Sequence, residues 1–385
     1  MKITKVTPLR INRYCFVEIE TDEGITGLGE GGAFGGLDAM AAQISHYGEY
    51  LVGKNPLDIE LHWQVMFRGK FFRGAISMAA ISAIDIALWD IAGKYHQCPV
   101  YELLGGKCRN KIRVYGHVFA KNDRELVEGI QRRIEEGFTA IGHLSPFLDE
   151  PMDQPYEKTH AEMLEESYER VGLMRRTAGN KVDLCIEMHR RLGPGEALQL
   201  IDKLAEFDPL FVEDPIAPGN HEAMGWLASH STLPIATGER LHTYYDFLRL
   251  LQEHGACYIR PSVTTCGGIT GAKKIAGLAE AFMCKIVPHN PPISPVGTAA
   301  ALQLCANVDN MLICEYPDPK AHMLNSSSSK AELVENFHAP IAGYIEVPKG
   351  NGIDIKLNED AKGKFPAVSL SAASRLNADG SVRDQ

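Results

Sequence analysis

The chain has 385 residues, of which 45% are apolar and 23% charged, as in an ordinary globular protein long enough for two domains or one large barrel. Its net charge is −10 with no block of Lys or Arg, which argues against nucleic acids and anionic membranes as partners. The N-terminus lacks the apolar core of a signal peptide, and we expect no membrane span. Nine cysteines include no CxxC pair, which favours reduced thiols in the cytoplasm.

The first 110 residues have the texture of a small α+β domain. VEIET (17–21) alternates, and Asp22-Glu23-Gly24 then turns into ITGLGE, a pattern that predicts an antiparallel hairpin. Apolar residues recur at helical spacing in ISMAAISAIDIALWDIAGKYHQ until Pro99. GLGEGG (27–32) fits the dinucleotide fingerprint G-x-G-x-x-G, but it follows a hairpin strand and opens no βαβ unit. We therefore predict a mobile glycine-rich loop there.

From residue 111 to about 340 the pattern alternates between strands and helices. Eight segments predict strands: 112–118, 138–144, 182–187, 209–213, 233–237, 256–260, 284–288 and 311–315. Helical patterns lie between them, which indicates a parallel β/α barrel. A long excursion (145–180) follows the second strand, and the last segment, 341–385, is predicted to return to the small domain.

Three glutamates, Glu187, Glu213 and Glu239, recur at intervals of 26 residues, and each ends an apolar run. The ladder continues to His289 and Glu315, at the ends of KIVPH and MLICE. Strand C-terminal ends meet on the catalytic face of such a barrel, so the three carboxylates should converge there. They would repel each other without a cation, and an all-carboxylate site suits Mg²⁺.

His189 lies two residues beyond Glu187. On an extended strand this spacing points both side chains in the same direction, into the mouth of the barrel.

Several motifs, in this order and spacing, resemble those of the enolase superfamily, mandelate racemase subgroup, and within it the galactonate and mannonate dehydratases. They are SAIDIALWDIAGK with PVYELLGGK (82–107), FVEDP (211–215), ATGER (236–240), CGGIT (266–270), VPHNPPISPVG (287–297) and ADGSVRD (378–384). The resemblance implies a modified TIM barrel, (β/α)7β, under an N-terminal α+β capping domain. It also implies one Mg²⁺ per subunit, removal of a proton next to a carboxylate, and dimers that build to an octamer.

The resemblance also implies roles for the ladder residues. The three glutamates match the family's metal ligands, and His289 matches the base on the seventh strand. His189 matches the general acid that protonates the departing 3-hydroxyl in the dehydratases. Glu315 matches a glutamate that is held protonated and donates a hydrogen bond to the enolate oxygen.

Two positions depart from the family pattern. Ser262 stands where the family has an aspartate that hydrogen-bonds the base, and a serine cannot stabilise an imidazolium as an anion does. His143 aligns with the position at which the racemases have the first lysine of their second barrel strand. It is therefore a candidate second acid or base, or else an ordinary barrel-lining histidine.

Further residues are predicted around the ligands. Asp214 and Arg240 would support the metal glutamates, and the capping segments 27–37 and 62–73 would set specificity. Four residues are predicted to contact the substrate: Arg190, Ser262, Phe34 and Arg73.

The leading functional hypothesis is a magnesium-dependent sugar-acid dehydratase. His289 or His143 removes the proton at C2, His189 protonates the 3-hydroxyl, and a 2-keto-3-deoxy acid results. The alternatives are a cycloisomerase that opens an anhydro sugar acid of the 3,6-anhydrogalactonate type, then an epimerase or racemase. An alternative of another class is an inactive relative that acts as a binding or sensor protein.

Overall fold

The computed structural model describes residues 1–32, 34–69, 71–148, 153–189, 192–290, 293–370 and 373–383. An antiparallel sheet in the order β1-β2-β3 and a group of helices form its N-terminal part. The bounds are β1 Ile3–Ile11, β2 Tyr14–Thr21, β3 Thr26–Gly31, α1 Leu37–Leu51, α2 Ile59–Arg68, α3 Ala75–His96 and α4 Val100–Leu103. The predicted hairpin is β2–β3, paired from Cys15–Gly31 to Glu20–Thr26.

Eight parallel strands follow, with a helix after each of the first seven. They are β4 Lys111–His117, α5 Asp123–Glu135, β5 Ala140–Leu144, α6 His160–Ala178, β6 Asp183–Glu187, α7 Pro194–Leu204, β7 Phe211–Glu213, α8 His221–His230, β8 Ile235–Thr237, α9 Tyr244–Gln252, β9 Tyr258–Ile259, α10 Gly268–Ala281, β10 Lys285–Ile286, α11 Pro295–Asn307 and β11 Cys314–Tyr316. The strand order is β10-β9-β8-β7-β6-β5-β4-β11. A parallel bridge between Ile286 and Met311 closes the circle. The predicted (β/α)7β barrel with its capping part is confirmed.

The barrel helices begin where side chains can accept the first free backbone N–H groups. Each of five helices starts after a polar residue whose side chain accepts such a hydrogen bond, which replaces a partner that the helix itself cannot supply. These residues are Asn122, Thr159, Asn220, Thr243 and Ser294.

The C-terminal segment contacts both parts of the chain. It contains β12 Tyr344–Glu346, α12 Ala361–Lys364, β13 Arg375–Leu376 and β14 Val382–Arg383. Strand β12 pairs antiparallel with β4 of the barrel. Farther on, the N–H of Asn12 donates to Phe365 O at 3.1 Å, and Val368 donates to Asn12 O at 2.8 Å. The domain limits at residues 110 and 340 stay a prediction.

Residues 27–31 of the glycine-rich segment 27–32 belong to strand β3, so the prediction of a mobile loop was wrong there. Gly27, Gly29 and Gly31 lie on one face of β3, where added Cβ atoms would overlap backbone carbonyls of α3 at Ala87, Ala83 and Ala79, respectively. The glycines therefore let the helix backbone lie directly on the sheet. Their spacing of two follows from the alternation of a strand.

Helix α3 is also the most apolar long helix among the described residues. By length and composition it could cross a bilayer, but 78% of its apolar window is buried inside the protein. The helix packs between the capping sheet and α10 of the barrel, and this is the burial of a core helix.

Two contacts fasten the end of β3 to the C-terminal side of the barrel. The buried carboxylate of Glu30 accepts hydrogen bonds from the N–H and hydroxyl of Ser294 and from the N–H of Gly297, at the start of α11. The N–H of Gly32 donates to Thr264 O at 2.8 Å. The capping part is thereby held beside the loops that follow β9 and β10.

A buried guanidinium crosses the interior of the barrel. Arg260, just after β9, forms ion pairs with Glu213 (2.5 Å from Nε to Oε1) and with Glu315. Its Nη1 also donates to the hydroxyl of Tyr115 at 2.7 Å. All four side chains are buried, so this guanidinium is a counter-charge inside the barrel for two carboxylates that water cannot solvate.

We predict that Gly29→Ala lowers the free energy of unfolding by at least about 3 kcal/mol, because the new methyl group would overlap helix backbone that cannot move aside. The measurement is urea unfolding followed by circular dichroism. The control is Gly277→Ala in α10, where a Cβ meets nothing within 4 Å. That change should be neutral or stabilising by up to about 1 kcal/mol, and equal losses in the two variants would contradict the packing argument.

We predict that Arg260→Met destabilises the protein by about 3–5 kcal/mol, since it leaves two buried carboxylates without their counter-charge. Unfolding is measured in the presence of a chelator. Arg249→Met is the matched control, because that exposed arginine pairs with the exposed Glu222, and such a pair contributes at most about 1 kcal/mol. Adding Glu315→Gln to Arg260→Met should restore part of the loss; strictly additive losses would rule out the proposed coupling.

Candidate active site

The three ladder glutamates meet at the C-terminal face of the barrel. Glu187 ends β6, Glu213 ends β7 in register with it, and Glu239 follows β8 by two residues. One carboxylate oxygen of each lies within 4.8 Å of the others, in an arrangement that could hold a metal ion. Glu187 and Glu213 are buried, and Glu239 is 14% exposed. The 26-residue spacing predicted this convergence.

The electrostatics of this group call for a cation. Burial raises the pKa of Glu213 well above its ordinary value, and the opposing effect of Arg260 is countered by Glu187, Glu315 and Glu239. Carboxylates that resist ionisation together are the donor set that a hard divalent cation stabilises. The residues present therefore fit the divalent ion that the resemblance implies.

His289 lies beside Glu239, the third glutamate of the group. Its Nε2 is 2.9 Å from Oε2 of Glu239 and 4.0 Å from Oε2 of Glu315. Its Nδ1 is buried without a hydrogen-bond partner among the described residues. The hydroxyl of Ser262 is instead 3.1 Å from Oγ1 of Thr264. The structure thus shows no hydrogen bond from Ser262 to His289 in the place of the family's aspartate contact.

His143 and His189 face each other beside Glu187. Their ring centroids are 4.7 Å apart, and ligand atoms of the two histidines and Glu187 lie within 4.8 Å of one another. The extended strand expected at His189 was wrong, because β6 ends at Glu187 and His189 has φ 50°. The backbone N–H of His189 still donates a hydrogen bond to the Glu187 carboxylate, at 2.9 Å.

His143 interrupts β5. The register of β5 against β6 shifts between Ile141 and Leu144, and His143 has φ 52°, a left-handed conformation that is uncommon for a residue with a side chain. The centroid of its ring lies 4.3 Å from the ring centroid of Phe119 and 5.8 Å from that of His117. Burial, then His189 and His117, lower the pKa of His143 well below its ordinary value. These surroundings therefore favour the neutral form of the His143 imidazole.

Glu315 is surrounded by donors. Nε2 of His117 lies 2.8 Å from Oε1, while Arg260 and the N–H of Asn290 (3.1 Å) bind Oε2. Burial opposes its ionisation, but Arg260, His289 and His117 together hold its pKa below the ordinary value. The neutral carboxyl that the resemblance implied is not the state that these contacts favour.

The remaining predicted residues differ in placement. Asp214 is buried, and its carboxylate accepts a hydrogen bond from Thr237 at 2.5 Å, whereas Arg240 is exposed. Phe34 is 68% exposed. Arg73 is exposed and lies 4.1 Å from the ring centroid of Phe67. Arg190 lies outside the described residues.

Arg260 and His117 were missed in the sequence. A signal existed for the arginine, since it closes the predicted strand 256–260 just as the glutamates close theirs. His117 sits inside the predicted strand 112–118. Sequence periodicity alone did not indicate that its side chain reaches Glu315 across the seam between β4 and β11.

Two family models match the chain. Residues 2–105 match the mandelate racemase/muconate lactonizing enzyme N-terminal domain, and residues 125–361 match the enolase C-terminal domain-like family. The D-galactonate dehydratase of Variovorax paradoxus (strain S110) is 37% identical over 371 residues, which cover 94% of this chain and 93% of that protein.

Solved structures of the same superfamily are also similar to this chain. An enolase from Agrobacterium radiobacter, a candidate galactarate dehydratase crystallised with sodium and L-malate, has a TM-score of 0.92 at 30% identity, with all of both chains covered. The 3,6-anhydro-D-galactonate cycloisomerase of Zobellia galactanivorans has a TM-score of 0.83 at 28% identity, covering 95% of this chain and 99% of that one. The protein is therefore an enzyme that belongs to the enolase superfamily, in the mandelate racemase/muconate lactonizing enzyme family, among relatives named as hydro-lyases.

Proposed function

We propose that the protein is a Mg²⁺-dependent dehydratase of a sugar acid, an aldonate or aldarate, and that it forms a 2-keto-3-deoxy acid. One observation carries the proposal: the three-glutamate group has a histidine on each side, His289 beside Glu239 and His189 beside Glu187. Proton removal at one carbon and hydroxyl departure from the next require two such proton carriers.

The substrate class is supported by the relatives. Proteins named D-galactonate dehydratase are 34–37% identical to this chain over 93–94% of its length. The similar Agrobacterium structure contains L-malate, which has the carboxylate and adjacent hydroxyl that begin every aldonate. A 2,3-dihydroxy acid presents this same group together with a leaving hydroxyl at C3.

Glu187, Glu213 and Glu239 would hold one Mg²⁺ per subunit. When bound, the ion supplies Lewis-acid stabilisation for the negative charge that develops on the substrate carboxylate. Asp214 is proposed to support this group from behind. Arg240, which is exposed, is proposed to lie at its rim.

The base is proposed to be His289, with His143 as the alternative. His289 is largely buried, and its Nε2 lies 2.9 Å from the Glu239 carboxylate and 4.0 Å from that of Glu315, beside the group that would hold the metal. His143 is held neutral by its surroundings and could also accept a proton.

His189 is proposed to be the general acid. The base takes the proton from C2, and the electron pair of that bond forms the C2–C3 double bond as the C3–O bond breaks. The hydroxyl leaves as water with a proton from His189, and the enol product then becomes the 2-ketone. Arg190, Ser262, Phe34 and Arg73 remain proposed substrate contacts.

Glu315 is proposed to act as an anion rather than as a neutral donor. His117, Arg260 and Asn290 hold its two oxygens, so its charge is in place to stabilise a protonated His289. This would compensate in part for the missing carboxylate partner at Ser262.

A cycloisomerase that opens an anhydro sugar acid is the second candidate. It is favoured by His143 in place of the racemase lysine and by the likeness to the Zobellia cycloisomerase. This reaction also begins with proton removal next to a carboxylate, but its leaving group is a ring oxygen. An epimerase fits less well, because it would need a complete catalytic dyad, and Ser262 cannot replace the aspartate that pairs with the histidine base.

We further propose a homo-oligomer, from dimer to octamer, in the cytoplasm, with a small sugar acid as its ligand. All nine cysteines lie in the described part of the chain and are free thiols, which suits a reducing compartment.

The first test is incubation with Mg²⁺ in D₂O against a panel of aldonates, aldarates and an anhydro sugar acid, followed by NMR. We expect a 2-keto-3-deoxy product from at least one aldonate or aldarate. Deuterium at C2 without elimination would indicate an epimerase or racemase, and ring opening of the anhydro acid would indicate the cycloisomerase. No exchange on any acid would overturn the enzymatic proposal in favour of a binding protein.

His189→Asn should abolish elimination while C2 exchange persists, because only the acid for the leaving hydroxyl is lost. Asparagine tolerates the left-handed backbone at this position, so the fold should remain intact. His160→Asn is the control, since that exposed histidine contacts Gln199 and Glu196 on the outer helices. If His189→Asn retains elimination at the parent rate, the acid assignment fails.

A further inference from the structure

A second group of possible ligands lies next to the three-glutamate group, which is called the triad below and consists of Glu187, Glu213 and Glu239. His143, Glu187 and His189 each offer a donor atom, and these atoms lie within 4.8 Å of one another. The group is built from the ends of two neighbouring strands, β5 and β6. It shares only Glu187 with the triad.

The two groups differ in donor chemistry. The triad offers carboxylate oxygens alone, which suits Mg²⁺. Two imidazole nitrogens and one carboxylate instead suit zinc and its first-row neighbours, and bind Mg²⁺ poorly. Metal–nitrogen distances of about 2.0–2.1 Å place donors on one ion about 3–3.5 Å apart, so donor atoms at the 4.8 Å outer limit would have to approach one another when the ion binds.

The surroundings hold the two rings in place. The backbones of His143 and His189 have φ values of 52° and 50°, which direct the rings to a centroid separation of 4.7 Å. Phe119 lies 4.3 Å from the His143 ring on another side. Both histidines are half-buried, and Glu187 is buried, so the site is shielded and can still be entered.

We propose that His143, Glu187 and His189 form a second cation position, selective for a late first-row transition-metal ion such as Zn²⁺. The binding claim stands on this donor set alone. Its consequence rests on the proposed function: an ion held there occupies His189 and draws on Glu187, so it inhibits elimination even when Mg²⁺ is abundant. The site would make the enzyme sensitive to free zinc.

The test uses Co²⁺ as a spectroscopic probe on the full-length protein, with Mg²⁺ in large excess and no substrate. We expect one Co²⁺ to bind with the visible absorption of an imidazole-ligated ion, and Zn²⁺ to displace it. His143→Asn and His189→Asn should each weaken Co²⁺ binding by at least about tenfold, the scale of loss seen when even an outer partner of a metal ligand is removed. Circular dichroism confirms that each variant is folded.

Two control variants locate the ion. Glu239→Gln changes none of the three proposed ligands and should preserve the Co²⁺ spectrum, and His160→Asn changes a remote histidine and should leave it unaltered. If excess Mg²⁺ displaces Co²⁺, or if the His143 and His189 variants bind Co²⁺ as the parent does, the proposed site is refuted. Because no turnover is measured, this result is independent of whether any sugar acid is dehydrated.

Discussion

The structure depends on a concentration of negative charge that the barrel interior cannot solvate. Glu187, Glu213, Glu239 and Glu315 converge at the strand ends, and three of them are almost fully buried. Within the described residues, Arg260 is the buried cation that pairs with two of them. The three-glutamate group also fits a divalent ion as a further counter-charge, so charge compensation links the fold directly to the site.

The rest of the molecule maintains this arrangement. Parallel strands place their C-terminal ends on one face, so residues far apart in sequence share one small volume. Backbone turns at His143, His189 and Asp214 have positive φ values, and such sparsely populated conformations collect where a site imposes its geometry. On the other side, Glu30 ties the capping sheet to the helix that follows the His289 loop. These hydrogen bonds keep the capping sheet close to the loop that carries His289.

Much of this organisation was predictable from the sequence. The alternation of strands and helices and the 26-residue ladder are local signals, and all eight observed barrel strands overlap the predicted segments. The errors arose where the role of a residue depends on a partner that is distant along the chain. GLGEGG was taken for a loop because its glycines are meaningful only against the backbone of α3. At Ser262 the sequence showed only that the family's aspartate is replaced; the structure adds that its hydroxyl lies 3.1 Å from Thr264 Oγ1 and that Nδ1 of His289 has no hydrogen-bond partner among the described residues.

The sequence by itself determined the barrel, the capping part and the three glutamates, because periodicity and strand-end position are properties of neighbouring residues. Only the tertiary structure decided which groups compensate them. Arg260, His117 and Asn290 gather on Glu315 from three different strand ends, and their contacts favour a charged carboxylate over the neutral one expected. The protonation state of a buried group depends on the through-space sum of its neighbours and on its distance from water. Neither quantity is written in the order of residues along the chain.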